Sequence, residues 1–154
     1  MTTSNSTIDR SNLIYRMGLV TRRWRQVLDR EFRVVGLTDA TWRPLLHLQL
    51  LGDGILQKEL AASVGIEGPS LVRILDALVA KGLIQRSEDR SDRRVKRLCL
   101  TSAGHLVVAR ICDILLPLEN QLLHAFSDQE ITRFGQFIQR CETTVNNVWE
   151  GVKQ

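Results

Sequence analysis

Between Arg86 and Arg97 the chain carries six basic side chains, Arg86, Arg90, Arg93, Arg94, Lys96 and Arg97, interrupted by three acids, Glu88, Asp89 and Asp92. Cations clustered this way suit a polyanion, because each Lys or Arg that meets a phosphate displaces a condensed counterion. Arg93 and Arg94 fall in DRSDRR, a polar tip between two short stretches, 83–88 and 95–100. That pattern reads as a β-hairpin. A projecting hairpin can push one guanidinium into a narrow minor groove, where negative potential is concentrated. Asp92 can orient a neighbouring arginine by a charge-assisted bond. The competing reading is a charged hairpin that only keeps a sheet edge soluble.

Just upstream, QKELAASVGIEGPSLVRILDALVAKGLI reads as a short helix over 57–64, a turn at Gly65-Ile66-Glu67 and a longer helix over 69–81. Pro69 suits the first turn, where its missing N–H costs nothing, and Gly82 ends the helix. Leu71, Ile74, Leu75, Leu78 and Val79 form one apolar stripe, with Ser70, Arg73 and Asp76 facing away. A helix that enters a major groove needs one face that packs and one that reads, and usually reads with its N-terminal residues. Arg73 can chelate guanine O6 and N7 or grip a phosphate. Ser70 and the helix N-terminus can hold a phosphate. Taken alone, the same face also reads as a solvated helix surface.

A helix-turn-helix followed directly by a basic hairpin is a winged helix. The segment GIEGPSLVRILDALVAKGLI…SDRRVKRLCLTSAG closely resembles the MarR family of bacterial transcription regulators, particularly its SlyA-like members. The wing string DRR-x-K-R-x-x-L-T-x-x-G is the specific part. The resemblance also takes in RWRQVLDREF…VVGLTDATW and the two long helices that follow, so it covers nearly the whole chain. It implies a mainly α fold with a small β-hairpin wing, dimeric through its N- and C-terminal helices. It implies double-stranded DNA as partner, with Pro69, Ser70 and Arg73 at the recognition helix and Asp92, Arg93 and Arg94 in the wing. Arg86 and Lys96 join that set from the basic hairpin itself. Two reading helices one DNA turn apart demand a pseudo-palindromic operator. The resemblance further implies a cleft for a small aromatic carboxylate, lined here by Arg22, Trp24, Trp42 and His47. The alternative is that both Trp are core and His47 is a packing residue. A protein-interaction module is the rival function, since winged helices also bind proteins. In two places the chain departs from the family pattern. Ile55-Leu56 stands where a Ser or Thr cap is usual, which predicts a differently capped or looser start, and Pro44 interrupts the second helix.

The flanking elements must hold this motif. Leu13, Met17, Val20, Trp24, Val27 and Phe32 recur at helical spacing, with Arg16, Arg22, Arg23, Arg25 and Arg30 on the other face. Gly36 sits at a helix C-cap, and Thr38 is placed to cap a second helix running to about Leu51, which Pro44 should bend. Beyond the hairpin, Thr101 caps a long helix in which Pro117 predicts a kink. Ser127-Asp128-Gln129-Glu130 is a capping box. Ile131, Phe134, Ile138, Cys141, Val145 and Val148 then alternate steps of three and four, a coiled-coil-like seam with more apolar surface than a lone lobe can bury. The expected organisation is a tail and dimerisation helix over 1–37, a winged helix-turn-helix lobe over 38–101 and dimerisation helices over 102–154.

Composition agrees with a soluble helical protein: 154 residues, 44% hydrophobic, 5% aromatic and a net charge of +4. Three widely spaced cysteines, Cys99, Cys112 and Cys141, give neither a disulfide framework nor a zinc motif, and fit a cytoplasmic, nucleoid-associated protein. No cysteine precedes Cys99, which excludes the first-helix peroxide sensor of some relatives. His47, His105 and His124 are scattered, so no metal and no cofactor is expected. The polar start MTTSNSTIDRSN lacks an apolar core for a signal peptide. No P-loop, G-x-S-x-G, H-E-x-x-H or dinucleotide fingerprint is present, so an enzyme is not expected.

Overall fold

A computed structural model describes residues 7–66, 68–89 and 96–152. Asp92, Arg93 and Arg94 of the expected wing tip lie outside the described residues. The elements in chain order are α1 (Leu13–Val34), α2 (Asp39–Leu51), β1 (Ile55–Leu56), α3 (Gln57–Val64), α4 (Gly68–Ala80), β2 (Ile84–Glu88), β3 (Lys96–Leu100), α5 (Ser102–Leu123) and α6 (Asp128–Val152). The strands form one antiparallel sheet in the order β1-β3-β2. This is the mainly α winged helix-turn-helix that the sequence led us to expect. Contacts divide the chain into two units, Met1–Leu115 and Leu116–Gln154, and α5 runs across the division.

In the first unit α1 stops at Gly36, which takes φ 78. The Gly36 N–H donates to the Arg33 carbonyl at 3.1 Å and the Leu37 N–H to the Phe32 carbonyl at 2.9 Å. These paired bonds satisfy two of the last carbonyls of the helix, and Leu37 is buried just beyond. Burial on α1 departs from the expected stripe. Leu28 and Phe32 are buried and Leu13, Met17 and Trp24 half-buried, but Val20 and Val27 stay exposed.

Thr38 takes the position before α2, yet its hydroxyl lies 3.1 Å from the Thr41 hydroxyl and caps no backbone N–H. Helix α2 continues through Pro44, which is fully buried, so the ring fills core space in the turn whose bond it removes. Phe32 of α1 and Trp42 of α2 pack with ring centroids 4.8 Å apart. The Trp42 indole N–H donates to Asp29 Oδ1 at 3.0 Å, which gives a buried aromatic its polar partner. Arg43 is buried, a placement sequence reasoning missed. It pairs with Asp39 at 3.1 Å and donates to the Val64 carbonyl at 2.5 Å. A buried charge is tolerable only when paired in this way, and the second bond fastens α2 to the C-terminal end of α3.

The start at Ile55-Leu56 is differently capped rather than looser. Ile55 and Leu56 pair with Leu98 and Arg97 as a short third strand, which the sequence reading missed. Glu59 supplies the cap from inside α3: its carboxylate accepts the Leu56 N–H at 2.7 Å. Two residues are too short for period-two alternation to register, so only the three-residue spacing to Glu59 carried a signal.

The corner after the wing is held by Thr101. Its N–H donates to the Leu83 carbonyl at 3.1 Å and its hydroxyl to the Gly82 carbonyl at 2.6 Å. The same hydroxyl accepts the Gly104 N–H at 3.0 Å, which is the expected cap of α5.

In the second unit the expected capping box is present: the Glu130 carboxylate accepts the Ser127 N–H at 2.8 Å, and Ser127 Oγ accepts the Glu130 N–H at 3.4 Å. Helix α6 has no buried residue. On its seam Phe134, Val145 and Val148 are each at least 60% exposed, with Ile138 and Cys141 half-buried.

Candidate nucleic-acid interface

Helix α4 divides its faces sharply. Leu71, Leu75 and Leu78 are fully buried, whereas Ser70, Arg73 and Asp76 are exposed. The stripe is narrower than expected, since Ile74 is half-buried and Val79 is 40% exposed. Gly82 closes the helix with φ 67, its N–H on the Val79 carbonyl and the Leu83 N–H on the Leu78 carbonyl, so the chain turns directly into β2. Pro69 and Ser70 lie in the exposed first turn. Arg73 makes no ion pair among the described residues.

The hairpin's described cations behave otherwise. Lys96 Nζ meets Glu88 Oε1 at 2.9 Å, directly across the strand pair. Arg97 Nε donates to Asp89 Oδ2 at 2.5 Å and its Nη1 to the Gly54 carbonyl at 2.6 Å. Asp53 Oδ1 accepts the Leu100 N–H at 3.1 Å. The base of the wing is therefore tied back to the loop before β1. Arg97 belongs to the basic run by composition but acts as a strut. Arg86 Nη1 meets Asp76 Oδ1 at 2.8 Å. Thus all three described cations of the hairpin are partnered, whereas Arg73 makes no ion pair among the described residues.

Beside α4 an open groove of about 520 Å³ is lined by Leu56, Gln57, Lys58, Ala61, Gly68, Leu71 and Lys96. Lys58 and Lys96 give it a positive rim at the start of both helices of the motif, where helix dipoles also favour anions.

The four residues expected to hold an aromatic carboxylate have varied surroundings. Arg22 is exposed and Trp24 half-buried. Trp42 is only 4% exposed and its indole is committed to Asp29. His47 is half-buried with Nδ1 2.7 Å from Ser63 Oγ. Burial, then the charges of Arg43 and Arg25, hold its pKa below the ordinary imidazole value. The Trp42 indole N–H and His47 Nδ1 thus each have a hydrogen-bond partner within the chain. Among the described residues no cluster of His, Cys, Asp or Glu is fit to hold a metal ion, and no helix is long and apolar enough to cross a membrane.

Comparison with known proteins places this geometry. A family model described as the MarR family matches residues 35–95. Among solved structures, the transcriptional regulator PA3341 is 37% identical, with 85% of this chain and 96% of that one covered at a TM-score of 0.78. A MarR-family transcriptional regulator from Silicibacter pomeroyi is 27% identical over 85% of this chain and 88% of its own, at 0.76. The transcriptional regulator SlyA, 24% identical over 92% and 99%, shares the fold at 0.77.

Proposed function

The chain belongs to the MarR family of transcriptional regulators, and from that premise we propose that it is a homodimeric repressor of the SlyA-like kind that binds a pseudo-palindromic site on duplex DNA. The observation that carries the proposal is the outward face of α4. Ser70 and Arg73 are exposed at the N-terminal part of a helix whose opposite face buries Leu71, Leu75 and Leu78, and Arg73 has no ion partner among the described residues. An unpaired guanidinium on a rigidly packed helix is suited to a guanine edge or a phosphate. Pro69 and Ser70 would set the helix start against the backbone, and Lys96 would add charge at the rim of the neighbouring groove. Asp92, Arg93 and Arg94 would anchor the wing in the minor groove. Residues 1–37 and 102–154 would supply the dimer contacts and 38–101 the DNA contacts. The exposed seam of α6 supports the dimer, since a helix that repeats apolar residues at steps of three and four is unstable without a covering surface.

The test is a gel-shift titration at moderate salt on a fragment selected by the wild-type protein. Arg73→Ala and Arg94→Ala are each expected to weaken binding by roughly 1–3 kcal/mol. If Arg73 reads a base, its loss also relaxes sequence preference at that position. Wild-type affinity in both variants would contradict the proposal.

A further inference from the structure

Arg86 stands apart from the other basic residues of the wing. It follows Ile84 by two residues on β2, so both side chains leave the same face of the sheet. That face is the inner one: Ile84 is buried, and so are Leu100 and Leu98, the residues directly opposite Ile84 and Arg86 on β3. Arg86 therefore emerges beneath the sheet, toward α4, where Nη1 bonds to Asp76 at 2.8 Å. Its Nε and Nη2 are shut off from solvent and find no hydrogen-bond partner among the described residues. With two of its three nitrogens covered and the third held by Asp76, this partly exposed guanidinium is directed at α4 rather than outward.

We infer that Arg86 is a positioning residue: its ion pair with Asp76 fixes the angle between the reading helix and the wing. Asp76 sits on the third turn of α4, about one turn beyond Arg73, and β2 leads into the wing tip. The pair thus couples the element that reads bases to the element that holds the minor groove. Losing either partner leaves both elements folded but free to depart from the spacing that one DNA duplex imposes. The inference rests on the DNA-binding reading above and refines the part that Arg86 plays in it.

A phosphate contact and a positioning contact differ in their salt signature. Removing a phosphate contact reduces the slope of log K against log salt by about 0.9. Removing a positioning contact lowers affinity and leaves the slope unchanged. The experiment measures affinity across a salt series for the best genomic fragment recovered by the wild-type protein. It uses the wild type, Asp76→Ala, Arg86→Ala, both together, and the reversed pair Asp76→Arg with Arg86→Asp. Each single change is expected to weaken binding on the order of tenfold without altering the slope, and the double change to cost little more than either alone. The reversed pair is expected to recover most of the affinity, because the ion pair is restored while position 86 now carries a negative charge. A slope reduced by about one unit in Arg86→Ala, or a reversed pair that binds no better than the singles, would overturn the inference and leave the DNA reading intact. Failure of the wild type to retain any fragment would overturn the DNA reading and the inference together.

Discussion

A variant carrying Val145→Asp and Val148→Asp is expected to scatter light as a single 17.5 kDa chain, while the wild type gives twice that mass. Both positions lie on the α6 seam, and each is more than 60% exposed in the single chain. Covering an ionised carboxylate with apolar surface costs far more than the contact returns, so two of them should abolish the pairing. The consequence for DNA is larger than for any one contact. Two lobes joined in a dimer bind their half-sites with the second event intramolecular, which raises avidity by about 10²–10⁴. The monomer should lose most of that while its winged-helix lobe keeps its fold. A dimer that survives both substitutions would place the interface elsewhere.

Gly104→Ala is expected to lower the midpoint of thermal unfolding by about 6–12 °C, from roughly 3 kcal/mol lost. A Cβ built on Gly104 would lie 2.1 Å from the Leu83 carbonyl oxygen and 3.2 Å from its carbonyl carbon. Both are backbone atoms, and that oxygen already accepts the Thr101 N–H, so the obstruction cannot swing aside. Alanine gains about 0.5–1 kcal/mol over glycine in a helix interior, too little to offset the overlap. Because this corner joins the wing to α5, loss of DNA binding should accompany loss of stability. An unchanged or raised midpoint would show that the corner can open at small cost.

These two positions differ in how much the sequence disclosed. The α6 seam was legible because apolar residues at steps of three and four persist from Ile131 to Val148. Gly104 was visible only as part of the wing string, since close approach of two backbones leaves no periodic mark. The reading helix came through clearly: Pro69 at its start, Gly82 at its end and the Leu71, Leu75 and Leu78 stripe were all in the pattern. Partnerships between charges were not. Arg86, Lys96 and Arg97 form one basic run in the sequence, and only the folded hairpin brings Asp76, Glu88 and Asp89 against them. Buried Arg43 was likewise hidden, because its acceptor, the Val64 carbonyl, is 21 residues away and belongs to the backbone. Val20 and Val27 matched the α1 stripe yet stay exposed in the single chain. Helical periodicity reports an apolar face but not whether the same chain covers it.

The most direct test of the account is selection of genomic DNA fragments by the wild-type protein, followed by sequencing of the retained pool at increasing salt. The account predicts a small set of sites built from inverted half-sites about one helical turn apart, as two α4 helices related by a dimer axis require, with retention falling steeply as salt rises. A retained pool with no shared inverted sequence, or no retention above a protein-free control at low salt, would contradict it.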